Sequence, residues 1–151
     1  MFYLIYISEV SSDLESADTI GMLDRAITNN LKTSISSCLL RYRSKFIRYL
    51  EGDMDEVLEL FDRIEIDKFH TDVSILSFGP IHGREFNTYG LHYEHFRVDY
   101  DNYTFLKLLL DSFITSGEDA LDPKPSSLHF WSTVRMFLEQ KNQSGKEKTR
   151  T

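Results

Sequence analysis

Cysteine is almost missing: Cys38 is the one thiol among 151 residues. A lone thiol closes no internal disulfide, and zinc sites built on two or four cysteines fall with it, so a reducing, cytoplasmic setting is expected. Proline and glycine are also scarce, at 3 and 7 residues, too few for a collagenous or low-complexity chain. No apolar stretch, including those at the start of the chain and near Phe105–Leu110, approaches the ~18 residues of a membrane span. The apolar opening MFYLIYISEV lacks the basic start and small-residue cleavage site of a secretory leader. Excess positive charge is absent: 24 acidic against 17 basic residues give −7, which opposes unaided binding to nucleic acid or anionic lipid. A protein or a small molecule is the expected partner. No serine sits in a G-x-S-x-G elbow, and the spacings of His70, His82, His92 and His95 match no usual zinc motif, so neither a Ser-His-Asp or Cys-His hydrolase nor a metal site is expected.

What is present builds one ordinary domain, for which 151 residues suffice, and leaves no room for a second catalytic one. Phe2–Ser8 is apolar on both alternating faces, the pattern of a central strand covered on both sides. From Ser16 to Asn30 the spacing is helical, with Ile20, Leu23, Ile27 and Asn30 on one stripe. Ser34–Tyr42 and Phe46–Glu51, joined by Arg43-Ser44-Lys45, read as a hairpin. Phe46, Arg48 and Leu50 share one face of its second strand, which should be the helix-facing one, and Ile47 and Tyr49 the other. Asp53 and Glu56 have capping-box spacing before the stripe Val57, Leu58, Phe61, Ile64, so a helix should run to about Ile66. Asp72–Phe78 predicts a strand ended by Gly79-Pro80, and His82–Asn87 the start of a fifth, with His92 and His95 in irregular chain.

The order β-α-β-β-α-β predicts an α+β, ferredoxin-like sheet with two helices on one face. Tyr103–Thr115 and Ser127–Gln140, separated by Asp122-Pro-Lys-Pro, are the helices expected to cover the other. The expected division is 1–98 for the ferredoxin-like domain, 99–141 for a helical cap and 142–151 for a polar, disordered tail. Phe105, Leu109, Phe113, Phe130, Trp131 and Phe137 offer more apolar surface than one sheet face covers, which predicts a homo-oligomer.

Five segments, IYIS, NNLKTSISSCLL, KFIRYLEG, RIEIDKFH and REFNTYGL, occur in an order and spacing that resembles the BLUF family, the blue-light sensors using flavin. The match covers roughly residues 1–95, and the trailing helices are similar to those of short members without an output domain. The resemblance implies a flavin, FAD or FMN, between the two helices, and signalling through protein–protein contacts rather than catalysis. It places Tyr6 at the tyrosine that donates an electron and proton to excited flavin. Asn30, with Asn29 beside it, falls on the asparagine that hydrogen-bonds the ring. Arg63, Ile64, Asp67 and His70 fall where the family contacts the ring edge and the ribityl-phosphate chain. Arg48 takes the position of the switching glutamine, Tyr89 and Leu91 those of a Trp and a Met, Ser37 that of a Gly, and Phe69 that of an Arg. Glutamine has a donor and an acceptor end, whereas guanidinium has five donors and no acceptor. The implied relay is therefore broken at Arg48.

Each of these residues also has a plainer reading. Tyr6 is equally a core tyrosine, Asn30 a helix C-terminal residue, and Arg48 one half of an ion pair with a carboxylate at a sheet edge; as a guanidinium between apolar neighbours it should otherwise meet a flavin carbonyl, Asp67 or a bound anion. Three functions are compatible with the chain. The first is a flavin-binding sensor. The second is a non-photoactive interaction or anion-binding module on the same fold, lacking flavin. The third, resting on fold analogy alone, is an acylphosphatase-like hydrolase.

Overall fold

The computed structural model describes residues 1–10, 33–67, 70–86, 90–96 and 103–149, so the helix expected over Ser16–Asn30 lies outside the described residues. Among the described residues five strands form one sheet: β1 (Phe2–Val10), β2 (Ser36–Tyr42), β3 (Lys45–Gly52), β4 (His70–Pro80) and β5 (Gly90–Phe96). Their order is β4-β1-β3-β2-β5. The first four pair antiparallel, in the ferredoxin-like order, and β5 adds to the edge parallel to β2. The sheet is mixed because of β5 alone.

Register decides which residues share a face. Tyr6 of β1 stands opposite Arg48 of β3, which stands opposite Leu39 of β2; Leu4, Leu50 and Ser37 form the adjacent row. Helix α1 (Met54–Glu65) covers this face, and Leu4, Tyr6, Ile35 and Leu50 form one core with its Val57, Phe61 and Ile64. Beside it, Leu39 and Phe46 pack with Val10, Leu91 and Tyr93. Arg48 thus lies on the expected side of its strand.

Asp53 caps α1 by accepting from the Asp55 and Glu56 amides, at 3.1 and 3.3 Å. The reciprocal half of the expected capping box runs through another residue. Ser34 Oγ accepts from the Asp53 amide, while its hydroxyl and its own amide both donate to Glu56 Oε2 at 2.6 and 2.8 Å. The box thus ties the helix start to the strand before β2. Gly52, which ends β3 at φ +153°, approaches the same segment so closely that a Cβ there would stand 3.0 Å from the Ser34 carbonyl oxygen.

Two expectations about strands are corrected. The fifth strand does not begin in His82–Asn87 but spans Gly90–Phe96, and His92 and His95 lie within it. Its polar residues concealed it: as an edge strand, β5 tolerates His92, Glu94 and His95 among Leu91, Tyr93 and Phe96. β4 is also longer than Asp72–Phe78, because Gly79 and Pro80 still pair with Tyr3 and Phe2 on a sheet edge.

The chain divides into two compact units, Met1–Tyr100 and Asp101–Thr151. The second holds α2 (Thr104–Ser116), a short 3₁₀ turn at Gly117–Asp119 and α3 (Leu128–Thr149). Leu106, Leu109, Leu110, Phe130, Trp131 and Val134 are its buried stripe, and Trp131 Nε1 donates to the Pro125 carbonyl at 2.8 Å. The tail 142–151, expected to be disordered, is helical as far as Thr149. Gln, Lys and Glu favour helix once a packed segment has nucleated it.

Candidate functional site

The candidate site lies on the α1 face of the sheet, at the row where β1, β3 and β2 bring Tyr6, Arg48 and Leu39 side by side. Tyr6 is fully buried, and its ring lies 5.7 Å from that of Phe61 of α1. The β1–β4 register shifts between Ile5 and Tyr6, a bulge of the kind that re-aims side chains beside sites. Burial pushes the Tyr6 hydroxyl above its ordinary pKa; the neighbouring Arg48 guanidinium pulls the other way, and Asp67 adds to the upward push. Arg48 and Asp67 thus act on the Tyr6 hydroxyl in opposite senses.

Arg48 is 4% exposed. Its Nη2 donates to Ser37 Oγ at 3.1 Å, one acceptor among the described residues. Its Nε is buried and meets no acceptor among them. A buried cationic donor left in this state costs free energy on the order of 1–3 kcal/mol. A flavin ring carries carbonyl oxygens that accept such a bond, so this donor fits the group the resemblance implies.

The other candidates divide. Ile64 is buried in the core beneath α1, whereas Arg63 is exposed and pairs with Glu59 one turn earlier. Leu91 is half-buried on β5 opposite Ser37, one row from Arg48. Asn29, Asn30, Phe69 and Tyr89 lie outside the described residues, as does the side chain of His70, whose backbone opens β4 opposite Val10. Among the described residues no three His, Cys, Asp or Glu side chains group as metal ligands.

The opposite face of β3 carries a polar cluster that residue patterning missed. Glu51 is fully buried and accepts four hydrogen bonds: from Ser36 Oγ at 2.8 Å, the Tyr49 hydroxyl at 2.9 Å, and the Glu85 and Phe86 amides at 2.7 and 2.8 Å. Arg84 Nη1 donates to Ser36 Oγ at 2.9 Å. Burial and the Glu51 charge push the Tyr49 hydroxyl upward, which keeps it a donor. The one signal in the chain was Glu51 within an apolar strand, since a buried carboxylate requires donors.

Comparison with known proteins bears on the family and the fold. The family model "BLUF: Sensors of blue-light using FAD" matches residues 1–92, more than half of the chain. The chain belongs to the BLUF family. The family consists of sensors of blue light that use FAD. Photoactivated adenylate cyclase subunit beta of Euglena gracilis is 33% identical over 81 residues, covering 54% of this chain and 9% of the relative. A bacterial light-regulated adenylyl cyclase superposes with TM-score 0.68 at 25% identity, over 76% of this chain and 34% of that one. The dark-state structure of the BLUF protein BlrB superposes with TM-score 0.60 at 26% identity, over 62% of this chain and 71% of that one. The chain thus spans about a tenth of the length of the curated relatives it matches. Among the described residues no helix is long and apolar enough to cross a membrane.

Proposed function

We propose that this chain binds FAD on the α1 face, against Tyr6 and Arg48, and signals through protein–protein contacts without the family's light-induced hydrogen-bond switch. The observation that carries this reading is Arg48 itself: buried, opposite Tyr6, and with Nε lacking an acceptor among the described residues. Arg48 holds the ring by donating to a carbonyl, and Asp67 stands just past the C-terminal end of α1. Asn29, Asn30 and His70 are the further contacts the family pattern assigns. FMN presents the same ring edge to Arg48. The bound cofactor supplies blue-light absorption.

The chain's own residues determine the response to absorbed light. Tyr6 keeps its proton in the dark because burial raises its pKa. A glutamine at position 48 could pass from donor to acceptor towards Tyr6, whereas a guanidinium donates in every orientation and cannot take the tyrosine proton. Tyr89 and Leu91, where the family has Trp and Met, leave no sulfur and no indole N–H to substitute for it. The output passes to a protein partner or to a second copy, for which the apolar residues Phe105, Leu108 and Met136 of α2 and α3 are exposed.

Reconstitution tests the reading. After incubation with FAD and removal of the free cofactor, the protein should retain the blue flavin absorption band, and Arg48→Met should lose most of it. A wild-type protein that retains none contradicts the proposal and leaves the flavin-free, anion-binding module in its place.

A further inference from the structure

Two adjacent serines on β2 point to opposite faces of the sheet and hold opposite networks. Ser37 Oγ accepts from Arg48 on the α1 face, whereas Ser36 Oγ donates to Glu51 and accepts from Arg84 on the other. The two cross-strand bonds bracket the same stretch of β2 and β3 from both sides. β5 joins the sheet at these serines, with Gly90 opposite Ser36 and Leu91 opposite Ser37.

The chain must reach that edge from the far one. β4 and β5 are at opposite ends of the sheet, so the segment between them crosses it. The described part of that crossing is held on the face away from α1. Both oxygens of Glu51 accept its amides at Glu85 and Phe86, and the Phe86 ring packs 5.6 Å from Tyr49 and 5.8 Å from His92. A neutral amide cannot do the same work. Two backbone N–H groups and two hydroxyls converge on the two oxygens, and an amide nitrogen at either position would confront a backbone donor.

We infer that Glu51 is a positioning residue for the Arg48 site: its carboxylate fixes residues 84–86 across the far face and thereby sets the register in which β5 places Leu91 beside Ser37 and Arg48. A strand that slips by one residue exchanges its two faces, so Leu91 would leave the site and His92 or Gly90 would replace it. The inference rests on reading the Tyr6–Arg48 row as the FAD site, and it concerns what holds the wall of that site.

The test reads the site without cofactor. In labelled protein, amide exchange is followed at Glu85 and Phe86, with Leu4 and Ile5 in β1 as controls, and NMR follows the Leu91 methyls and the buried Arg48 Nε–H. Glu51→Gln is expected to speed exchange at Glu85 or Phe86 about tenfold, as loss of one buried hydrogen bond does, leave β1 within about twofold, and shift the Leu91 and Arg48 resonances. Ser36→Ala removes one donor and keeps the carboxylate; it should shift the same resonances less, and it carries the test where Glu51→Gln does not fold. Faster exchange at 85 and 86 with unmoved Leu91 and Arg48 signals would overturn the inference, leaving Glu51 as an anchor of the crossing segment only. So would unchanged exchange. FAD retention is measured separately on the wild type, so a protein that fails to bind FAD counts against the cofactor reading and leaves this result standing.

Discussion

Arg48 and Glu51 stand three residues apart on β3, both buried, on opposite faces of one sheet. Glu51 meets four donors on its two oxygens, while among the described residues Arg48 donates to Ser37 through Nη2 and its buried Nε meets no acceptor. A buried charge whose hydrogen bonds are all supplied by its own chain is part of the architecture. A buried donor without an acceptor among the described residues is, on the proposed reading, where the flavin ring is held.

Removing each side chain in turn has the largest expected effect on that contrast. Glu51→Ala leaves two backbone amides and two hydroxyls without their acceptor and is expected to cost about 3–5 kcal/mol in denaturant unfolding. Arg48→Met keeps the volume and removes a poorly satisfied cation, so stability should stay within about 1 kcal/mol of wild type or rise. Equal losses in the two variants would dissolve the distinction between the faces. Between these extremes, Gly52→Ala should cost about 1–3 kcal/mol, because the residue has a positive φ and a Cβ would press on the Ser34 carbonyl.

The α1 side of this contrast was largely legible in the chain. Alternation through Phe46, Arg48 and Leu50 placed Arg48 beneath the helix, and Asp53 with Glu56 marked the helix start, because both patterns are local. One acceptor of Arg48 was not legible: a flavin carbonyl, Asp67 or a bound anion is the choice by charge, and the chain gives no sign that Ser37, on the diagonal from Arg48, accepts from its Nη2. The far face was nearly invisible. Glu51 reads as part of Leu50-Glu51-Gly52, and its partners lie between 2 and 35 residues away, on two strands and a crossing segment that no periodicity marks. β5 was misplaced for the related reason that an edge strand pairing parallel to a distant β2 carries no turn signal and few apolar residues.

The smallest expected effect concerns the tie between α1 and the sheet. The hydroxyl and amide of Ser34 hold the Glu56 carboxyl below its ordinary 4.5. A carboxyl whose folded pKa is depressed adds stability above its unfolded pKa and loses it as the pH falls through the folded one. Ser34→Ala should therefore be less stable than wild type at neutral pH, and the gap should close in acid below the ordinary carboxylate range. A gap that persists there would assign the Ser34 effect to its other bond, from the Asp53 amide.

On the proposed reading, Arg48 disables the switch in a site otherwise built to hold flavin. Light-minus-dark absorption spectra of FAD-loaded wild type and Arg48→Gln test this directly. No reversible red shift of the flavin band is expected in the wild type, and one should appear in Arg48→Gln, where Tyr6 again faces a group with both a donor and an acceptor. A reversible shift in the unmodified protein would contradict the role given to Arg48.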